Sequence, residues 1–484
     1  MLAVVAGLTA GPVDVRALDR VVEQSMKAWG VPGCSIAIVQ NDQVLLVKGY
    51  GVKELGKPEK VTPETIFAIG STSKAFTTAG MAMLVDEGKM NWDDPVRKHV
   101  EFFKLMDPMA NELVTLRDLV THRTGLSRND LLWYNSPWSR EEIIRKVAFI
   151  KPTAPFRTLW QYQNIMFATA GFAVGKAAGT SWEEFTQKRI FDPLAMKSTS
   201  MTTISIEKTP DHATPHVKNR QKAVQTTQWR NLDSISPAGG INSTATDMAQ
   251  WLRLQLGDGA MGARRLISVK NTREMHTPQM VVRPEDWGRG YNPETNQMSY
   301  GLAWSIQDYR GMHVVSHGGA IDGFRATVTL IPKERLGIVV LANLGEDNMP
   351  EALRWMILDQ MMGLSARDWN EMLIDRGRKQ EETQETSEKL IEEKRQKFSK
   401  PSKSLEHYTG TYEEPAYGRA LVMLDDGKLR FTWSNYRGSL DHYHYDTFRV
   451  RAPRMNGLAR FELNANGDVT SLEMLGVEFT KVTP

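Results

Sequence analysis

Strand-like runs gather at the two ends of the first three quarters of this chain and thin out between them, and that order constrains the fold more than any other feature. Ser35-Ile36-Ala37-Ile38-Val39-Gln40 and Val44-Leu45-Leu46-Val47-Lys48 read as two strands joined through Asn41-Asp42-Gln43, a hairpin. Strands of comparable quality return only at 301–307, Val314-Val315, 326–331 and 336–344. From Ser71 to about Met275 helical patterns and loops dominate. The order predicts one antiparallel sheet assembled from both ends of a domain, with a helical region inserted. Ahead of the first strand, 13–30 reads as an amphipathic helix, with Val15, Leu18, Val21, Val22 and Met26 at helical spacing and Gly30 as its stop.

Composition shifts between 367 and 403. Arg378-Lys379-Gln380-Glu381-Glu382 and Glu392-Glu393-Lys394-Arg395 alternate charge among few apolar residues, which reads as a solvated helix or linker. Beyond it, strands fold back at Asp425-Asp426-Gly427 and Asn466-Gly467-Asp468, so 404–484 reads as a small all-β barrel or sandwich. The expected division is 13–366, 367–403 and 404–484, which suits a length of 484 residues.

A hydrophobic content of 41% and a charged content of 24% are those of an ordinary water-soluble globular protein. A net charge of +3, with no basic stripe interleaved with aromatics, argues against a nucleic-acid partner. The single Cys34 excludes an internal disulfide and leaves the redox compartment open. Residues 1–10 are apolar and end in small residues, as a secretory signal core does, but no basic segment precedes them. They are too short to span a bilayer. An extracytoplasmic home, periplasmic or secreted, is favoured over a cytoplasmic one, which stays open; so does a homo-oligomeric state.

Chemistry enters with Ser71-Thr72-Ser73-Lys74, which follows an extended entry ending at Gly70 and opens a helical stretch. Positions i and i+3 share a helix face, so the Lys74 amine sits beside the Ser71 hydroxyl and can accept or relay its proton. A chain of this length shows such a pair about twice by chance. Ser205-Ile206-Glu207-Lys208 is a second copy, read as a decoy because it runs into Pro210 with no helix to orient it. The first copy is followed by Ala75, Thr78, Ala79, Ala82 and Met83, an apolar face suited to a buried helix. Burial favours a lysine acting as a base.

Two further segments supply partners. Tyr162-Gln163-Asn164 holds a phenol that works as a base only if a cation stabilises its phenolate, a role open to Lys74. Asn164, expected in a non-helical turn, orients Lys74 or binds a substrate carbonyl. Val314-Val315-Ser316-His317-Gly318-Gly319-Ala320 reads as a strand running into two glycines, which let backbone amides approach a ligand. His317 at its mouth is placed to polarise substrate or leaving group.

Ser71-x-x-Lys74, Tyr162-x-Asn164 and His317-Gly318-Gly319, in that order, resemble the serine β-lactamase and penicillin-binding-protein superfamily, and within it the class C-type enzymes, the family VIII carboxylesterases and the D-amino-acid peptidases. Leu119-Val120-Thr121-His122-Arg123-Thr124-Gly125-Leu126 is similar to another stretch of that family. The resemblance covers about 13–363. It implies an α+β fold, an antiparallel sheet flanked by helices with a helical subdomain, followed here by a barrel that looks lipocalin-like from Tyr408-Thr409-Gly410-Thr411-Tyr412. It implies that Ser71 attacks a carbonyl and is acylated, that Lys74 and Tyr162 share the general acid and base roles, and that the amides of Ser71 and Ala320 hold the oxyanion. Asn164, His317, Gly318 and Gly319 would line the substrate side, with no cofactor or metal.

The family's usual Lys-Thr-Gly is His317-Gly318-Gly319 here. A fixed cation there suits a substrate carboxylate, whereas histidine is mostly neutral at pH 7, so β-lactam hydrolysis ranks below other acyl transfer. The expectation is a serine hydrolase of peptides or small peptide-like amides first and carboxylic esters second. A catalytically silent binding module is the alternative of a different class. His212 and His216, separated by Pro215, and His442 with His444 lack the third clustered ligand a metal needs. Trp133, Tyr134 and Trp138 read as packing residues, or as an apolar wall for the acyl group.

Overall fold

A computed structural model describes residues 14–203, 206–286, 292–453 and 455–482, apart from the side chain of Glu207. The signal-like segment 1–10 and Ser205 of the second Ser-x-x-Lys copy lie outside the described residues.

Helix α1 (Val15–Trp29) starts where the Asp14 carboxylate accepts from the amides of Arg16 and Ala17, and ends where Gly30 takes a φ of 71°. Strands β1 (Gly33–Gln40) and β2 (Gln43–Gly51) follow. Asn41 and Asp42 both have positive φ, 50° and 65°, so the hairpin turns on two residues rather than three. The helical region contributes α2 (Lys74–Asp86), α3 (Asn164–Ala178) and α4 (Ala245–Leu256). Then come β3 (Met280–Val281), β4 (Met298–Tyr300), β5 (Ser305–Tyr309), β6 (Met312–Ile321), β7 (Phe324–Ile331), β8 (Leu336–Ala342) and α5 (Met349–Met361). The strand expected over 301–307 is broken, because Gly301 to Trp304 turn through Ala303 at φ 71° before β5 begins.

These eight strands form one antiparallel sheet in the order β2-β1-β8-β7-β6-β5-β4-β3. Chain ends meet at its centre, as the order of apolar runs requires: Ile36 pairs with Val340 and Ile38 with Ile338. On one face α1 and α5 bury Leu18, Val22, Trp355 and Leu358 against Ile36, Ile38 and Val340. Burying side chains of this size stabilises by roughly 1.5–3 kcal/mol each. On α2, Phe76 stacks on Trp251 of α4 with ring centroids 3.8 Å apart. Strand β6 is longer than its neighbour β5: their pairing ends at Ser305 with Ser316, while β7 pairs with β6 through to Ile321. The stretch 317–321 is therefore paired on one side only.

Helix α6 (Trp369–Glu393) runs 25 residues. Trp369 and Leu373 anchor it in the core, and its later residues are exposed, so the charged segment is a solvated helix. Beyond it lie β9 (Gly410–Glu414), β10 (Gly418–Asp425), β11 (Lys428–Trp433), β12 (Tyr436–His444), β13 (Thr447–Ala452), β14 (Met455–Leu463), β15 (Val469–Met474) and β16 (Val477–Lys481). Each pairs with the next and β9 with β16, closing a barrel that leaves no free edge. Tyr412, Phe431, Phe461 and Phe479 fill it.

The chain divides into two compact units, one of 1–102, 108–128 and 152–378, the other of 103–107, 129–151 and 379–484. The second joins the barrel to a piece from the middle of the sequence. Leu131 and Tyr134 pack against the barrel core, Tyr417 Oη donates to Asn129 Oδ1 at 2.8 Å, and Tyr436 Oη donates to the Tyr134 carbonyl at 3.3 Å. Trp133 donates Nε1–H to Asp130 at 2.8 Å, and Trp138 lies under Lys146 at 4.1 Å. These aromatics have packing roles within the second unit.

Candidate active site

Ser71 lies in a short 3-10 turn, Gly70–Ser73, that runs directly into α2. The turn is fixed from within: Ser73 Oγ donates to the Gly70 carbonyl at 2.7 Å and accepts from the Ile241 amide at 3.1 Å. Gly70 has φ 51°, and a Cβ there would lie 2.6 Å from the Ala320 amide nitrogen, so only glycine lets the turn touch β6.

Lys74 is buried, with Nζ 3.0 Å from Ser71 Oγ. The same nitrogen donates at 2.7 Å to Asn164 Oδ1 and at 2.7 Å to the Ala238 carbonyl. It stands 4.8 Å from the Tyr162 ring centroid and 5.3 Å from that of Phe167. Asn164 is the first residue of α3, not part of a non-helical turn; Gln163 caps that helix by accepting from the Ile165 amide at 3.0 Å. The cap fixes Asn164, which is buried, as the first helical residue and leaves Tyr162 in the segment just before the helix.

Tyr162 is half-buried in an aromatic nest. Its ring lies 4.2 Å from that of His122 and 5.9 Å from that of Trp160, and the Arg128 guanidinium sits 5.0 Å from its centroid. His122 holds the segment by two bonds, its carbonyl accepting from the Gln161 amide at 2.7 Å and its Nδ1 from the Gln163 amide at 3.0 Å. Nδ1 is thus an acceptor and the ring proton sits on Nε2. Full burial, with Lys74 nearby, holds this imidazole neutral, well below its usual pKa. The sequence pattern placed His122 only within a family-like stretch; its backbone φ of 58° and its grip on the Tyr162 segment are visible only in three dimensions.

His317 is buried and engaged at both nitrogens. Nδ1–H donates to the Gly318 carbonyl at 2.6 Å, and Nε2 accepts from Tyr300 Oη at 2.9 Å. Burial first, and Lys74 second, lower its pKa to about 3. In this arrangement the ring is neutral and both of its nitrogens are engaged within the protein. Tyr300, which sequence reasoning did not single out, is its partner, and burial raises that phenol well above its usual range.

On β6, neighbouring residues face opposite ways. A Cβ on Gly319 would meet the Ile69 carbonyl oxygen at 1.9 Å, on the Ser71 side, whereas one on Gly318 would meet Glu351 Oε1 at 3.4 Å, on the α5 side. Asp118 is fully buried and binds Arg123 at 2.6 Å and Arg157 at 2.7 Å, tying the 118–123 stretch to the chain that leads into Tyr162. Burial pushes its carboxyl up, but the Arg157 hydrogen bonds and the Arg123 charge outweigh this and hold it below the usual range. Among the described residues no cluster of His, Cys, Asp and Glu forms a metal site, and no helix is long and apolar enough to cross a membrane.

The sequence matches the Beta-lactamase family over residues 18–360 and a domain of unknown function, DUF3471, over 394–483. It is 29% identical over 430 residues to an Unguisins hydrolase of Aspergillus campestris, covering 84% of this chain and 77% of that protein. The fold is similar to an octameric penicillin-binding protein homologue from Pyrococcus abyssi, with a TM-score of 0.64 at 23% identity over 97% of this chain and 100% of that one. It is also similar to a D-stereospecific amidohydrolase from Streptomyces sp., with a TM-score of 0.58 at 20% identity over 73% of this chain and 100% of that one. With the family match spanning most of the chain, and with sheet and helices arranged to suit it, the protein belongs to the Beta-lactamase family, whose members are serine hydrolases.

Proposed function

We propose that the protein cleaves amide bonds of peptides or small peptide-like amides through an acyl-enzyme on Ser71, with carboxylic esters as a second substrate class. The observation that carries this reading is the setting of Lys74. Asn164 Oδ1 and the Ala238 carbonyl accept only, so each takes an N–H from Nζ, each at 2.7 Å. A neutral amine bound in this way has its lone pair left to face Ser71 Oγ, 3.0 Å away.

Ser71 Oγ attacks the scissile carbonyl while its proton passes to the Lys74–Tyr162 pair, whose titrations are coupled. The amides of Ser71 and Ala320 receive the developing oxyanion; the close approach of Gly70 to Ala320 supports this pairing. Collapse expels the leaving amine or alcohol, which takes the proton back from the pair, and water then releases the acyl group by the reverse relay.

The one-sided stretch 317–321 of β6 favours an extended backbone as substrate, since a peptide lying along it gains main-chain hydrogen bonds. The hydrolase name of the Aspergillus relative agrees with bond cleavage by water, and the amidohydrolase name of the Streptomyces protein with an amide substrate. Neutral His317 where the family's usual lysine stands disfavours a β-lactam carboxylate.

Incubation with a fluorophosphonate, followed by intact-mass measurement and peptide mapping, tests the reading. A single adduct on Ser71 is expected, and labelling and turnover should vanish in Ser71→Ala. Undiminished turnover in that variant would sink it.

A further inference from the structure

The α5 face of β6 carries a second feature that the acyl-transfer scheme does not use. A cavity of about 480 Å³ lies there, walled by the Gly318–Ala320 stretch and by the side chains of Ser316, Thr327 and Arg354. Further down the same face the sheet is apolar and packed under α1 and α5. Here hydroxyls and charges replace hydrocarbon.

Three of the residues lining it each carry a buried polar atom with no hydrogen-bond partner among the described residues: Arg354 Nε, Thr327 Oγ1 and Asp347 Oδ2. The residues are 5%, 2% and 3% exposed. Buried polar groups are nearly always hydrogen-bonded, so three at one cavity mark a place where something complementary binds. The rest of each group is fixed. Arg354 is ion-paired to Glu351 at 2.6 Å and donates to Thr329 Oγ1 at 3.3 Å, and Asp347 Oδ1 accepts from the Met349 amide at 2.7 Å. Burial raises the Asp347 carboxyl to about 6.

Charge decides the ligand's chemistry. A carboxylate would face Asp347 and Glu351, and an ammonium would face Arg354 and Arg325, which also lines the cavity. A neutral carboxamide meets neither repulsion: its oxygen accepts from Arg354 Nε, its N–H donates to Asp347 Oδ2, and the Thr327 hydroxyl serves either. Position decides its source. An extended chain along 317–321 sends alternate side chains to opposite faces of the sheet, so the group that enters this cavity is a side chain and not the main chain.

We propose that this cavity is a specificity pocket for a substrate residue bearing a side-chain carboxamide, with Thr327, Asp347 and Arg354 as its recognition set. The proposal rests on the acyl-transfer reading for its place in substrate binding, but its test does not need turnover.

Calorimetric titration of the full-length Ser71→Ala protein with N-acetyl-asparagine amide and its near-isostere N-acetyl-leucine amide, each as D and L forms, reads the pocket directly. The asparagine compound of one hand should bind at least about tenfold more tightly, since a buried site left with unpaired polar groups rejects the analogue. Adding Thr327→Val should shrink that ratio to about threefold or less. Asp347→Asn, which keeps the oxygen that accepts from the Met349 amide, is the second variant should Thr327→Val not fold, and with melting temperature checked is likewise expected to narrow the ratio. Equal binding of the two side chains in both hands, no measurable binding of either, or a preference untouched by the variants would overturn the proposal. An unlabelled Ser71 would instead sink the hydrolase reading, so the two failures are distinguishable.

Discussion

Gly319 runs against Ile69 so closely that a Cβ on Gly319 would lie 1.9 Å from the Ile69 carbonyl oxygen, backbone against backbone. Neither strand nor nucleophile turn has a flexible atom to withdraw. Gly319→Ala should therefore push β6 off the Ser71 turn, lowering the melting temperature by about 5 °C or more and turnover by about 100-fold. Gly318→Ala meets the end of the Glu351 side chain at 3.4 Å and the Ala326 carbonyl oxygen at an ordinary 3.9 Å, and should melt within about 1 °C of the parent. Paired thermal melts check the contrast.

Lys74→Met keeps the hydrocarbon bulk and removes the nitrogen that bridges Ser71, Asn164 and Ala238. A fall in kcat of about 10³-fold is expected, with a similar loss in Tyr162→Phe. Because the two groups act as a unit, the double variant should lose little more than either single one. Losses that multiply in full would argue against a shared proton.

Asp118→Asn leaves Arg123 and Arg157 facing a neutral amide inside the fold. Removing one partner of a buried ionic cluster costs about 3 kcal/mol. Urea unfolding should show it as a lowered midpoint with an unchanged slope. The segment before α3 should loosen as well, so activity is expected to fall before the protein unfolds.

Acid should destabilise the fold from just below neutrality. Burial holds His122 well below its usual pKa, His317 at about 3 and His276 at about 4, so each stays neutral when folded. The unfolded chain protonates them near 6.5, and from there downward it binds protons that the folded state refuses. Stability is thus lost as pH falls from about 6.5 towards 4. Asp347, raised to about 6, runs the other way and offsets part of the loss between about 6 and 4. Urea midpoints from pH 7.5 to 4.5 should decline, and the decline should be shallower in His317→Gln.

Cys34 is fully buried in β1, and burial pushes its thiol up. A disulfide reagent should leave the native protein untouched and modify one thiol per chain in urea. Reaction without denaturant would mean that β1 opens readily.

Much of the architecture was legible because it rests on local chemistry. The central pairing of β1 with β8 follows from two apolar runs that need neighbours on both sides, and the ends of α1 from Asp14 and Gly30. Ser71 and Lys74 were legible because three residues of helix fix their proximity. What escaped depends on distant groups. The helical placement of Asn164 comes from the Gln163 cap, a weak signal against the turn-like run before it. The neutral, doubly bonded state of His317 comes from Tyr300, which nothing in the local sequence marks as a partner. The break at Ala303 is a left-handed residue that alternation of apolar residues does not reveal. The attachment of 129–151 to the barrel is a choice of packing partner that no local pattern encodes.

That attachment governs how the barrel can be studied. The chain passes from one unit to the other after residues 102, 107, 128, 151 and 378, so no single cut separates them. A truncation before 394 would strip Leu131 and Tyr134 of the surface they cover and expose them to water. Lost activity in such a shortened protein would report collapse of 129–151, not what the barrel does. Changes at Tyr417 and Tyr436, which grip that segment through one hydroxyl each, are the cleaner way to loosen it.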